Sequence, residues 1–274
     1  MTATVIAQLT DLHIREPGRL AYGRIDSSEY LRRAVRSILD LKQRPDAVVI
    51  TGDLTDFGRA AEYEHLSLLL DPLQMPIYLL PGNHDDREQM RKSFAHHSYL
   101  GTSGLIQYSV RIGGLRLISL DTSVQAQSYG LLCQQQLSWL ADMLDAHAGE
   151  PVIVAMHHPP FQTLIGHMDD IGLLKGSDAL ECLLARYANV ERVICGHVHR
   201  AIDVRFGGTI ASTSPAPAHQ VCLDLAPDAA SAWILEPPGF RLHACAGTRV
   251  VTHLAYIGKF DGPYPFHADG ALID

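Results

Sequence analysis

The 274-residue chain is 47% apolar with a formal charge of −8, so it can bury a full core and fits one large domain with an appendage or two unequal domains. An acidic balance with no basic run excludes a nucleic-acid duplex as partner, because that surface needs clustered Lys and Arg. Five widely spaced cysteines without a CxxC pair, no basic leader in MTATVIAQLTDLHI and no apolar run near the ~20 residues of a membrane span predict a cytoplasmic protein without a membrane partner.

In chain order, residues 5–9 read as a short apolar strand running into Thr10-Asp11-Leu12-His13. Asp11 and His13 stand two apart, so in extended chain they project to one face. Residues 19–26 (RLAYGRID) form a Gly-containing loop, and Asp26-Ser27-Ser28-Glu29 resembles a capping box opening a helix. Leu31, Val35, Ile38 and Leu39 at helical spacing carry that helix to about Arg44, before Pro45. Residues 48–50 are a buried strand that ends in Thr51-Gly52-Asp53. A helix over 59–70 follows, then a strand over 77–80 that ends in Pro81-Gly82-Asn83-His84-Asp85-Asp86. A β-α-β-α-β order thus fills the first ninety residues.

Further on, 115–120 is a strand ending at Asp121-Thr122-Ser123, read as structural, and Leu137, Leu140, Met143 and Leu144 keep a helical period. The strand 152–156 runs into His157-His158-Pro159-Pro160. A loop over 161–176 and a helix over 179–187 precede the strand 192–195, which ends in Gly196-His197-Val198-His199. Segments 209–213, 233–235 and 249–257 are β-rich and look antiparallel.

Fifteen histidines against 22 Lys plus Arg are the compositional oddity. His65, His96, His97, His147, His243, His253 and His267 read as ordinary solvated or core residues. The informative ones sit at strand ends. Five apolar strands end in Asp-x-His, Gly-Asp, Gly-Asn-His-Asp, His-His and Gly-His-x-His. Gathered at the carboxyl edge of a sheet, where open α/β folds place their sites, these tips would bring together seven ligand-type side chains, enough for two metals. Gly52, Gly82 and Gly196 would let the backbone turn there, and Asp53, with two oxygens, could bridge both ions.

The ordered set D-x-H, G-D, G-N-H-D, H and G-H-x-H over residues 11–199 resembles the calcineurin-like metallophosphoesterase family. YGRID, PGNHDD, MHHPP and GHVH are most similar to its bacterial cyclic-nucleotide and glycerophosphodiester phosphodiesterase branch. The resemblance implies an α/β fold: two mixed β-sheets packed as a sandwich flanked by helices, with a small β-rich C-terminal cap. The catalytic domain would cover 1–215, and 216–274 would form the cap and the contacts of a homo-oligomer. Carried over by position, one metal would be held by Asp11, His13, Asp53 and His199, the other by Asp53, Asn83, His157 and His197.

The implied activity is hydrolysis of small phosphodiesters by in-line attack of a metal-bridging hydroxide. Two divalent ions, two carboxylates and a hydroxide leave one formal positive charge, which suits a monoanionic diester. His84 would serve as phosphate donor or general acid, oriented by Asp85. His158 is expected to support the site without ligating. The ligand chemistry suits Mn, Fe, Co or Zn. Asn83, His84, Tyr22, His219 and the 161–176 loop are expected around the substrate. A phosphomonoesterase and a metal-free binding scaffold on the same fold are the alternatives. The scaffold would require degraded ligands, whereas all seven positions are intact.

Overall fold

The computed structural model describes residues 3–268 and 271–273; the outermost residues of the two expected domains, Met1, Thr2 and Asp274, lie outside them, as do residues 269 and 270. The strand-helix order of the sequence is present from the start: β1 (Thr4–Leu9), α1 (Ser27–Leu39), β2 (Ala47–Thr51), α2 (Ala60–Leu70) and β3 (Ile77–Leu80). Asp26 starts α1 by accepting the Glu29 amide at 3.1 Å, and the 3.6-residue period turns Leu31, Ala34, Val35 and Ile38 inward. The helix stops at Leu39, not near Arg44. Helical conformation is disfavoured just before Pro45, and the chain must already turn so that the Asp46 amide reaches Val5 O at 2.7 Å.

Next come α3 (Arg87–Ser93), β4 (Tyr108–Ile112), β5 (Leu115–Ser119), β6 (Gly130–Leu131), α4 (Gln134–Ala146), β7 (Val152–Ala155), α5 (Gly166–Asp169), β8 (Leu173–Lys175), α6 (Ser177–Leu184) and β9 (Val190–Cys195). The chain continues through β10 (Ile202–Phe206), β11 (Thr209–Thr213), β12 (Gln220–Val221), β13 (Trp233–Ile234), β14 (Gly239–Ala246) and β15 (Arg249–Tyr256). The sequence reading predicts neither α3 nor β4. Both have local causes: Asp86 caps α3 by accepting the Gln89 amide at 2.8 Å, and Gly113-Gly114 turns β4 back antiparallel onto β5.

Two mixed sheets result, with orders β15-β14-β1-β2-β3 and β10-β11-β9-β7-β5-β4. β1, β2 and β3 are mutually parallel, as are β5, β7, β9 and β11. Alternation along the second sheet sorts its side chains. Leu117, Ile153 and Ile194 join Ile6, Val48 and Ile50 in one core, whereas Ile118, Val154 and Val193 pack with Leu140 and Leu180 of α4 and α6.

The division expected at residue 215 is not followed by the sheets. β14 pairs antiparallel with β1 from Thr4↔Cys245 to Gln8↔Arg241, so the C-terminal hairpin completes the first sheet instead of forming part of a separate cap. After residue 215, the short β12–β13 pair and a pair formed by His267–Ala268 and Ala271–Leu272 lie outside the two large sheets in the way a cap would. A buried relay fastens the hairpin to the other strands. His243 Nε2 donates to Gln8 Oε1 at 3.0 Å, and Gln8 Nε2 donates to Thr51 Oγ1 at 3.0 Å and Cys195 O at 2.9 Å. His243 is therefore a core residue held neutral, its pKa pushed down to about 3 by burial.

Candidate metal centre

Because β1, β2 and β3 run parallel in one sheet and β7 and β9 in the other, their five carboxyl ends converge. The backbone there is strained. Asp11, His13, Asp53, His197 and His199 have φ of 52°, 44°, 50°, 72° and 54°, a left-handed region that costs a non-glycine residue about 1–3 kcal/mol. Five of the seven expected ligands sit in it, so the surrounding hydrogen bonds must hold them. The Asp11 amide donates to Gly52 O and the His13 amide to Asp53 O, each at 3.0 Å. The His197 amide donates to the Asp11 carboxylate at 3.0 Å.

The donor atoms form two adjoining sets. In the first, His13 Nε2 and His199 Nε2 are 3.2 Å apart, His199 Nε2 is 3.4 Å from Asp11 Oδ1, and His13 Nε2 is 3.7 Å from Asp53 Oδ2. In the second, His157 Nε2 is 3.4 Å from the same Asp53 oxygen and 3.1 Å from Asn83 Oδ1, which lies 3.1 Å from His197 Nδ1. Donors bound at about 2.0–2.2 Å to a common ion stand roughly 3.0–3.5 Å from one another, so these separations fit two ions sharing Asp53.

Protonation gives an independent check. His13 Nδ1 faces Asp56 Oδ1 at 3.2 Å, and His199 Nδ1 faces His219 O at 3.1 Å. Both partners only accept, so both Nδ1 atoms carry a proton, which leaves the two Nε2 atoms, 3.2 Å apart, as the atoms each ring offers to an ion. His157 is arranged likewise, with Nδ1 donating to Thr51 O at 2.8 Å. The residues present fit the metals that the motif pattern implies.

Two details differ from the sequence reading. Asp53 presents only Oδ2 to both donor sets, because Oδ1 accepts the His84 amide at 2.9 Å. Of the three glycines, only Gly52 needs positive φ, at 91°. Gly82 and Gly196 are instead required by space: a Cβ on Gly82 would meet Asp53 Oδ1, and one on Gly196 would meet Thr10 Oγ1.

Without ions the carboxylates and imidazoles compensate one another. Burial raises Asp11 to about 6. Burial would also raise Asp53, but His157, His84 and His13 outweigh it and hold that carboxyl well below its usual range. Burial opposes protonation of His157, yet the adjacent Asp53 carboxylate lifts it to about 9. Metal ligation needs a neutral imidazole. Loading the metal-free protein at pH 7–8 is therefore expected to release about one proton per chain from His157, read by calorimetry in buffers of different ionisation heat. The His157 share of that release should be lost as the pH rises through about 9; a release that stays constant across that range would contradict it.

Around the candidate ligands the expected roles are partly redistributed. Asp85 does not orient His84. Its carboxylate accepts the Leu54, Thr55 and Gly82 amides at 3.0, 3.2 and 2.9 Å and the Tyr63 hydroxyl at 2.9 Å, which fastens the β2 and β3 ends together. His84 is oriented by Asp56, since its Nδ1 donates to Asp56 O at 2.8 Å. Asp56, given no site role in the sequence reading, thus holds two rings, His84 by its carbonyl and His13 by its carboxylate. Its spacing, three residues past Asp53, was the available signal.

His158 is saturated, accepting from Thr122 Oγ1 at 2.8 Å and donating to Ser128 O at 3.2 Å, so it supports the site and does not ligate. Asp121 is structural, held by Arg87 at 2.6 and 2.9 Å. A cavity of about 350 Å³ over the metal residues is walled by His13, Asn83, His84, Tyr22 and His219 among others. Tyr22 is half exposed, with its ring centroid 5.1 Å from that of His219. Burial pushes His219 down to about 3, so it meets a ligand as a neutral ring. Trp233 and His167 also line this cavity and were not singled out from sequence. A larger groove of about 550 Å³ lies beyond Asn83 and His84, which line both spaces.

The family model described as "Calcineurin-like phosphoesterase" matches residues 4–201. A "probable glycerophosphodiester phosphodiesterase GpdQ" from Arcobacter nitrofigilis is 37% identical over 272 residues, 98% of this chain and 100% of that protein. A "probable cyclic nucleotide phosphodiesterase" from Rhodopseudomonas palustris is 33% identical over 270 residues, 96% of each. Among solved structures, a dimetal phosphatase from Danio rerio superposes with a TM-score of 0.65 at 17% identity, covering 94% of this chain and 100% of that one, a likeness of fold.

Proposed function

The chain belongs to the calcineurin-like phosphoesterase family, and on that premise we propose that it is a binuclear metal-dependent phosphodiesterase of small diesters, glycerophosphodiesters or cyclic nucleotides. The observation that carries the reading is Asp53 Oδ2, within 3.7 Å of His13 Nε2 and 3.4 Å of His157 Nε2. Asp11, His13, Asp53 and His199 would hold one ion, and Asp53, Asn83, His157 and His197 the other, drawn from Mn, Fe, Co and Zn. When bound, such a pair supplies a water activated at neutral pH and positive charge for the phosphoryl oxygens.

The chain's own residues do the rest. Asp56 and the carbonyls of Thr51 and His219 fix the ligand tautomers. His84, with Nδ1 committed to Asp56, turns Nε2 to the cavity to meet the phosphate or its leaving oxygen. Among the described residues no Lys or Arg lines the cavity, so a monoanionic diester suits the net charge better than a dianionic monoester. Turnover by metal-reconstituted protein across cyclic nucleotides, glycerophosphodiesters and aryl mono- and diesters tests the reading. Exclusive hydrolysis of monoesters would overturn it.

The two metal positions should differ in affinity. The Asp11 position has two carboxylates, one of them shared, whereas the Asn83 position has only the shared one. Hard divalent ions bind more tightly to more anionic oxygen. Titrating metal-free protein with Mn or Co should fill two unequal sites, the weaker gaining affinity when phosphate is present. Asn83→Asp should strengthen that site and slow turnover. Two equivalent sites indifferent to phosphate would contradict this.

No helix among the described residues is long and apolar enough to cross a membrane, and the five cysteines are unpaired, which supports a cytoplasmic setting. Leu223, Leu225, Leu235, Phe260, Tyr264 and Phe266 are exposed, and this C-terminal apolar surface supports a homo-oligomer. The acidic net charge of −8 supports small molecules over nucleic acid as partners.

A further inference from the structure

The cavity over the metal residues has walls of different chemistry. One part is aromatic: the Tyr22 and Trp233 rings stack with centroids 5.8 Å apart, and His219 meets Tyr22 edge-on. Another part is formed by the segment that carries His167, with Met168 and Ile171 beside it. That segment is firmly held. Asp169 accepts the Thr163 amide and hydroxyl, each at 2.7 Å, and the Leu164 amide at 3.0 Å. Ile165 and Met168 are buried against Val198, between two expected ligands, and Val221. His167 is thus placed by packed neighbours and not by a loose loop.

His167 Nδ1 is buried and has no hydrogen-bond partner. Seven side-chain polar atoms are in that condition among the described residues, and three of them, His167 Nδ1, His197 Nε2 and His219 Nδ1, belong to rings lining this one cavity. A buried polar atom left unmet costs about 1–3 kcal/mol, so their concentration here marks a place where a ligand supplies the partners.

We infer that His167 is a substrate-contacting residue that hydrogen-bonds a hydroxyl on the ester group of the diester, selecting polyol esters over esters that lack a free hydroxyl. The inference rests on the phosphodiesterase reading. A neutral imidazole offers one donor and one acceptor, and a hydroxyl can satisfy either, whereas a phosphoryl oxygen only accepts. The phosphoryl group belongs with the metals and His84, which leaves the alcohol portion for His167. Met168 and Ile171 beside it offer aliphatic surface to the carbon skeleton of a glycerol or ribose unit. A site built to bond a hydroxyl discriminates against the analogue without it, because its own polar atom is then stranded.

The test compares wild-type, His167→Ala and His167→Gln as metal-reconstituted proteins on a glycerophosphodiester and on bis(4-nitrophenyl) phosphate, which has no hydroxyl. His167→Ala should raise KM for the glycerophosphodiester about 5–10-fold, the range a single net hydrogen bond supports, with kcat/KM for the aryl diester within about twofold. His167→Gln, which keeps a donor and an acceptor, should recover part of the loss. A second readout does not need turnover: with Trp139→Phe as common background, quenching of Trp233 fluorescence by glycerol 3-phosphate should weaken by a similar factor in His167→Ala, and quenching by phenyl phosphate should not. Equal losses on both substrates, or none on either, would overturn the inference. If the wild-type protein hydrolyses no diester, the phosphodiesterase reading fails by itself, and the two quenching titrations still decide whether His167 reads a hydroxyl.

Discussion

Asp53→Ala is expected to give a folded protein that retains neither metal and has no measurable hydrolysis. The shared oxygen is the sole carboxylate of the Asn83 donor set and one of two in the other, so its loss weakens both positions together. The fold should survive, because β2 is held by its ladders to β1 and β3 and by the Asp85 contacts to Leu54 and Thr55. His157 would lose the carboxylate that keeps it protonated and become neutral instead. Asp53→Asn separates charge from shape. Asn can still accept the His84 amide through its oxygen, but it turns an NH₂ group toward both donor sets and should be as inactive as Ala. Metal content by elemental analysis, with circular dichroism as the control for folding, decides the matter: two ions per chain in Asp53→Ala would sink the shared-ligand assignment. The melting temperature adds a third measure, since the metal-dependent increase seen in wild-type protein should be absent.

That the candidate ligands can be picked from sequence reflects how local the signal is. A ligand-type side chain directly after an apolar run marks a strand tip, and five tips in order single those residues out before any contact is known. What surrounds them was less legible. Asp85 stands beside His84 in the chain, and adjacency suggests that one orients the other, yet the carboxylate points back to bind three amides of two different loops. Asp56 does the orienting, partly through a carbonyl that no residue-type pattern can reveal. Which Asp53 oxygen is shared depends on an amide donated from the next strand's tip. Of the C-terminal hairpin only 249–257 reads from its pattern as β-rich, and nothing in residues 239–256 names β1 as the neighbour. That choice is made by a tertiary partner, with Gln8 and His243 meeting across the sheet. His167 is reached from sequence only as part of the 161–176 loop, and Trp233 only as part of a β-rich segment, for a related reason. Each is a lone residue in a segment without a motif, and only the fold brings it to the cavity beside the candidate ligands.

His84→Ala is expected to keep both metals and to lose about 10²–10⁴-fold in rate on diesters with poor leaving groups, the range of a general acid. The ring stands outside the two proposed ligand sets: its backbone amide donates to Asp53 Oδ1, its Nδ1 donates to Asp56 O, and the remaining Nε2 is free toward the cavity that it lines with Asn83. With the Nδ1 proton committed, Nε2 carries a proton only in the imidazolium form. Proton delivery to a departing alkoxide therefore requires the doubly protonated ring. One result follows that a merely structural role would not produce. Activated aryl diesters, whose leaving oxygen needs no proton, should lose far less than alkyl diesters. His84→Gln, which can donate to a phosphoryl oxygen but cannot transfer a proton, distinguishes the remaining case. If Gln restores the rate and good and poor leaving groups suffer alike, His84 binds phosphate and the proton comes from elsewhere.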